Sequence, residues 1–301
     1  MKFIPTAFLI SLLLVTASFA IRNHAAQRQI NLVGPAEEVS FGTLINAPNG
    51  HISFQKHPHG WRLWVPGRLN TAPNHHDEGG FLFDVTDWSY DVLSQAPPTF
   101  TLGHKVDENN PDCGAYDFDR NYAALNAVVP GAEPDTLLGF YDAEYHRNCP
   151  NGEPLLSSIG IATSTDGGVT WEHRRQIIQG RDEATLTTQT VTCAQHDAFT
   201  DPTNPHVIDS GASGPSVVER DADGGTYLYL YYADRTPLTG GRDSIYVARA
   251  LLASDGQPGN WQKWNGSAWG ALRRRRLFGL PPARCSRSSR TLVGTRACAS
   301  G

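Results

Sequence analysis

The sequence predicts an all-β chain built as a β-propeller, and three observations carry that prediction. A strand–turn–strand unit closed by an Asp turn and a Trp recurs along the chain at Trp88, Trp171 and Trp261. Gly and Pro are abundant, at 29 and 20 of 301 residues, as many short strands joined by tight turns require. The body of the chain holds no stretch of helical period and useful length. An antiparallel sheet that cannot bury both faces alone is stable when its neighbours cover it, as successive blades do.

The first unit reads His51-Ile52-Ser53-Phe54, a His/Pro/Gly turn, Trp61-Arg62-Leu63-Trp64-Val65, and then Gly80 to Trp88 through Asp87. The second runs from Tyr122 to Val129, turns at Pro130-Gly131, continues over Leu137 to Tyr141, and ends with Ile159 to Trp171. The third is Pro215 to Val218, a turn at Asp223-Gly224-Gly225, Tyr227 to Tyr232, then Ile245 to Ala250, Ser254-Asp255-Gly256 and Trp261. Aromatic and aliphatic residues alternate within each run, the period of a half-buried strand. A usual blade takes about 40–50 residues, so the wider spacing of these units implies long inserted loops.

Residues 1–20 form a secretory leader. Lys2 precedes an apolar run from Phe8 to Val15, and Ala17-Ser18-Phe19-Ala20 supplies small residues for cleavage after Ala20. The run is shorter than the roughly 20 residues that span a bilayer, so the expected location is secreted or periplasmic, with no membrane partner after cleavage. Residues 21–270 make the propeller, expected to be incomplete. Residues 271–301 break the pattern, with eight Arg and no acid. They read as a basic arm or, preferably, as an out-of-frame or foreign C-terminus. Without them, 17 basic residues face 30 acidic ones, a net charge of −13 that argues against a nucleic-acid partner. The cysteines are Cys113, Cys149, Cys193, Cys285 and Cys298, and a Cys113–Cys149 disulfide is the preferred pairing in an oxidising compartment.

Ser164-Thr165-Asp166-Gly167-Gly168-Val169-Thr170-Trp171 fits S-x-D-x-G-x-T-W at every fixed position. A short Asp side chain accepts hydrogen bonds from nearby backbone N–H groups and ties such a turn. The stretch resembles the Asp-box of sialidases and other propellers, which is structural and lies on outer hairpins. Gly214-Pro215-Ser216-Val217-Val218, Tyr229 to Ala233 and Ile245 to Ala248 resemble the secreted five-bladed propeller glycoside hydrolases, the group of arabinanases, β-xylosidases and invertases. That resemblance implies hydrolysis of glycosidic bonds by carboxylate chemistry. In the group, an innermost strand often opens Glu-Gly-Pro with Glu as the proton donor. Ser213 stands at that place here.

Antiparallel strands bring the start of each first strand and the end of each second strand to one rim. That rim gathers Asn49 to His51, Asp119 to Asn121, Ser213-Gly214, Arg68, Asp142 to His146 and Asp234-Arg235. A sugar site needs two carboxylates flanking the bond, donors for hydroxyls and aromatic faces. Glu144 is therefore the expected acid, and Asp77 the base or nucleophile. His146, Tyr145, Asp234, Arg235 and His76 are expected to bind the substrate. Asp234 with Arg235 also reads as a rim ion pair, and Glu144 as a partner of Arg147. His75-His76-Asp77 is not assigned as a metal site, because adjacent side chains of an extended chain point apart. No cofactor is called for, though a structural divalent ion on the axis stays compatible with the sequence. Asn265-Gly266-Ser267 fits a glycosylation acceptor in a eukaryotic host. A non-catalytic propeller that binds carbohydrate or protein is the alternative to the enzyme.

Overall fold

A computed structural model describes residues 40–45, 47–69, 78–87, 89–103, 118–146, 153–181, 207–236 and 244–271. The cysteines, residues 1–20 and residues 272–301 lie outside the described residues. The strands are β1 (Leu44–Ile45), β2 (Ser53–His57), β3 (Gly60–Leu69), β4 (Glu78–Val85), β5 (Thr99–Gly103), β6 (Tyr122–Pro130), β7 (Leu137–His146) and β8 (Glu153–Ser164). They continue as β9 (Glu172–Gln179), β10 (Val207–Ala222), β11 (Gly225–Arg235), β12 (Ser244–Leu251), β13 (Gln262–Trp264) and β14 (Trp269–Ala271). Each repeat is a meander of antiparallel strands: β2-β3-β4-β5, then β6-β7-β8-β9, then β10-β11-β12-β13. The chain is thus all-β with blade-like antiparallel sheets, and among the described residues no sheet closes on itself.

Two features depart from the sequence reading. A short helix, α1 (Tyr90–Gln95), follows the first Asp turn and buries Leu93 against the first sheet. Each meander also carries a fourth strand that the alternation did not reveal. β9 reads Glu-His-Arg-Arg-Gln-Ile-Ile-Gln, and its outward polar residues hide the strand until it lies on β8.

The middle sheet is buried on both faces. Along β7, Leu137, Tyr141 and Ala143 face the first sheet and pack with Trp64, Leu82, Leu102 and Leu125. Leu138 and Phe140 face the opposite way and pack with Leu228, Leu230, Tyr232 and Trp261 of the third sheet. Side chains on a strand alternate between faces, so one strand feeds two cores. The run Tyr-Ala-Ala-Leu-Asn-Ala-Val-Val of β6 is accordingly near-continuously apolar.

The second and third meanders are also joined through hydrogen bonds. Val207–Gly211, the start of β10, pairs in parallel with Glu153–Ser157 of β8. It continues the edge that β9 occupies from Ser158 onward. A bulge between Ser213 and Ser216 then carries β10 into its own antiparallel meander.

The Asp166 turn is tied as its residues suggest. Asp166 Oδ1 accepts from the Val169 and Thr170 N–H groups at 3.0 Å each, and Oδ2 accepts from Thr170 Oγ1 at 2.6 Å. Burial opposes ionisation there, yet the bonds from Thr170, Ser164 and Val169 win and hold its carboxyl down to about 2. The turn docks on the first sheet: Trp64 Nε1 donates to Gly168 O at 3.1 Å, and Trp171 Nε1 donates to Thr101 Oγ1 at 2.9 Å. Gly168 sits at φ +85, and a Cβ there would stand 2.6 Å from the Trp64 ring. The other Asp turns work differently. Asp87 binds Ser89 ahead of α1, and Asp255 reaches across to the Ala132 N–H of the middle sheet at 2.8 Å.

Trp64 is wholly buried between sheets and hydrogen-bonded to the turn. Its replacement by Ala is expected to cost about 3–5 kcal/mol of unfolding free energy in urea titration. Ile245→Ala, at a side chain 74% exposed, is the control and should leave the urea midpoint nearly unchanged.

Candidate functional site

The three inner strands meet where the sequence places the shared rim. Asn126 of β6 lies at the centre of the meeting point. Its Oδ1 accepts from the His51 N–H at 2.8 Å, and its Nδ2 donates to Asp142 Oδ2 at 3.1 Å. Asp142 Oδ1 accepts from the Gly214 N–H at 2.8 Å, which links β7 to β10. His51 Nδ1 lies 3.4 Å from Pro215 O, and Asn49 Nδ2 donates to the buried Tyr122 hydroxyl at 3.3 Å. Residues from three separate repeats thus converge within hydrogen-bonding reach of one another.

Asp142 is the unusual group. Burial pushes its carboxyl up to about 7 and Glu144 adds like-charge repulsion, while the Gly214 and Asn126 bonds and the Arg235 charge pull the other way. A carboxyl that holds its proton near neutrality and stands next to a second carboxyl is the arrangement that separates acid and base roles. The sequence reading placed Asp142 on the rim without singling it out. Its one available signal was the i, i+2 relation to Glu144, which sets both on one face of β7.

Glu144 is half-buried in β7, opposite Tyr122 of β6 and Ser157 of β8. Tyr145, also half-buried, stands opposite Leu156 and therefore on the other face of the strand. His146 closes β7 opposite Leu155, and its side chain lies outside the described residues. Asp77, His76 and Arg147 also lie outside them. Ser213 sits at the β10 bulge, followed by Gly214 at φ +64. At this point the chain presents a backbone donor to Asp142.

Asp234 and Arg235 do not pair with each other. They are successive residues of β11 and point to opposite faces. Arg235 lies near Asp142. Asp234 is fully buried, with Arg181 Nε at 3.3 Å and Lys263 Nζ at 3.8 Å. Its Oδ1 also accepts from the Arg181 N–H at 3.2 Å. Burial raises the Asp234 carboxyl and lowers the Lys263 ammonium. Lys263 stacks over Tyr246 at 4.8 Å and Arg181 over the same ring at 5.0 Å. This burial sets Asp234 in an ion cluster, where the sequence expects it to bind substrate. It anchors two cations between the sheets instead.

A second buried cluster supports the first interface. Tyr141 Oη donates to Asp119 Oδ2 at 3.0 Å, and Arg174 Nη2 pairs with the same oxygen at 2.8 Å. Among the described residues no group of three His, Cys, Asp or Glu is placed to hold a metal, and no helix is long and apolar enough to cross a membrane.

No protein-family model matches the chain, and no curated protein matches it. Among solved structures, a provisionally named glycoside hydrolase from Parabacteroides distasonis is 13% identical over 74% of this chain and 52% of its own, with a TM-score of 0.32. A second, named glycoside hydrolase, is 14% identical over 73% of this chain and 53% of its own, with a TM-score of 0.35. The chain spans about half the length of both.

Asp142 links protonation to stability. Its unfolded carboxyl titrates near 4 and its folded one at about 7, so between those values the folded state binds the extra proton. This contribution to stability is full below about pH 4 and is lost as pH rises through about 7. Urea titrations at pH 5 and pH 8 are expected to show that loss, and Asp142→Asn should reduce it. An equal loss in the variant would mean that Asp142 is not its source.

Proposed function

We propose that this chain is a secreted, glycosidase-like protein that hydrolyses glycosidic bonds of a poly- or oligosaccharide by carboxylate acid/base chemistry. The observation that supports it most is the Asp142–Glu144 pair: two carboxyls on one face of β7, at the rim where residues of three repeats converge. Glycoside hydrolysis requires a protonated carboxyl at the leaving oxygen and an ionised one to activate water or attack the anomeric carbon.

Glu144, half-buried at the strand end, is the proton donor to the leaving oxygen. Asp77 is the base or nucleophile on the opposite side of the bond. Asp142 is a positioning residue, since Gly214 and Asn126 already occupy both of its oxygens. Its own carboxyl is raised to about 7 by burial, with the Glu144 charge adding to that. His76, His146 and Arg235 position the sugar, and Tyr145, on the face of β7 away from Glu144, is not among them. The chain needs no dissociable cofactor for this chemistry, and export follows from the leader at residues 1–20. A non-catalytic binding propeller is the second reading, favoured by Ser213 standing where the group's acid belongs.

Incubating the full chain with aryl glycosides and with plant and host polysaccharides separates the two. Glu144→Gln and Asp77→Asn are expected to lower kcat by at least about 100-fold with little change in KM. Asp142→Asn should remove any inflection near pH 7 from the pH–rate profile, because it removes the carboxyl raised to about 7. Saccharide binding without turnover would establish the binding propeller, and neither binding nor turnover would end both readings.

A further inference from the structure

We propose that Asn265 is an N-glycan acceptor whose first sugars lie over the open aromatic face of the third sheet. The proposal rests on the export reading and not on the glycosidase chemistry. Asn265 opens the four-residue turn between β13 and β14, with its N–H donating to Ala268 O at 3.2 Å while Trp264 pairs with Trp269 across the hairpin. Residues Trp264 to Ala268 are all exposed.

The carboxamide is oriented by its contacts. Asn265 Oδ1 accepts from the Ser267 N–H at 3.0 Å, from the Ser267 hydroxyl at 3.0 Å and from the Ala268 N–H at 2.9 Å. Backbone N–H groups only donate, so the atom facing them is the oxygen. The amide nitrogen is thereby directed away from the turn, and the described residues supply no acceptor for it. The hydroxyl of the third residue of an Asn-x-Ser sequence is here bonded to the Asn carboxamide itself. Gly266 at φ +99 permits the turn.

In the modification, Asn265 Nδ2 bonds to the anomeric carbon of an oligosaccharide carried on a polyisoprenyl diphosphate. The C–O bond to the diphosphate breaks, its electron pair leaves with the diphosphate, and one amide proton passes to base.

The sugar would emerge beside a surface suited to it. Tyr229, Tyr231, Val247, Trp264 and Trp269 line a shallow cavity of about 240 Å³ on the third sheet. The Trp264 and Trp269 rings lie 5.2 Å apart at 55°, and Tyr229 meets Trp269 at 5.7 Å. Arg249 stacks over Trp269 at 4.4 Å and Tyr227 at 4.5 Å, and it is fixed by Asp223 and Gln262. Aromatic faces flanked by fixed polar groups suit the C–H faces and hydroxyls of a pyranose. Attachment one residue beyond Trp264 supplies a high local concentration without requiring intrinsic affinity.

The test is to express the full chain in yeast behind a yeast secretory leader and recover the protease-protected luminal product, folded or not. Release by N-glycosidase in heavy-oxygen water is expected to mark Asn265 as Asp in the peptide map. Asn265→Gln and Ser267→Ala should each abolish the mark and the glycan's mass. Unmodified Asn265 in luminal wild-type chain overturns the proposal. Trimming the glycan from folded protein should raise apolar-dye fluorescence at least about twofold. Equal fluorescence before and after trimming refutes the placement of the sugars on this face. Activity towards glycosides is read separately and decides only the glycosidase proposal.

Discussion

The middle sheet is the element on which the architecture depends. Its strands carry large apolar side chains on both faces, and a sheet of that kind is stable only when sandwiched. Leu138 and Phe140 on one side and Leu137 and Tyr141 on the other commit β7 to two neighbours simultaneously. Sheet-on-sheet burial lacks directionality, so something further must fix how the sheets stack. Hydrogen bonds that cross the interfaces supply that. The Asp166 turn presents the Gly167 and Gly168 carbonyls to Arg62 and Trp64 of the first sheet. On the other side Asp255 engages the Ala132 N–H, and the edge Trp261–Phe140 ring contact lies at 6.0 Å. Apolar area supplies the attraction, and these polar contacts select one arrangement from the many that would bury similar area.

That division of labour explains why the rim is polar. Along β7 the interior positions are apolar, but Asp142 and Glu144 appear where the strand leaves the two cores. β11 does the same, passing from Leu228, Leu230 and Tyr232 to Asp234. The two strand ends then diverge in role. Asp234 meets Arg181 and Lys263 and forms a charge cluster between sheets. Among the described residues, Asp142 meets neutral donors at hydrogen-bonding distance, with Arg235 acting as a nearby charge. Burial next to cations and burial next to amides give the same residue type different electrostatic situations. The second situation leaves a carboxyl that titrates near neutrality.

Much of this architecture was legible in the sequence because strand periodicity is local. The first three strands of each meander are marked by alternating aromatic and aliphatic residues and by Gly or Asp turns, and they appear in that order. Strands β5, β9 and β13 were not visible, because an outer strand covers one face only and carries polar residues on the other. The convergence on one rim followed from antiparallel connectivity alone. Asp142 was missed because its distinction comes from Gly214, 72 residues away, and from desolvation, neither of which leaves a local pattern. The Asp234–Arg235 ion pair that the sequence offers fails on strand geometry, because successive residues of β11 face opposite sides.

The bulge at Ser213 bears on what the rim can do. The stretch turns its Gly214 N–H into Asp142, at a φ of +64 that favours glycine. A backbone donor and a carboxylate are opposite in their effect on Asp142, since the first stabilises its ionised form and the second repels it. With the donor in place, the remaining like-charge neighbour is Glu144 on the same strand. The Asp142–Glu144 pair lies on one strand, and the proposed acid/base chemistry takes its second, substrate-facing carboxylate from a loop, as Asp77 would supply.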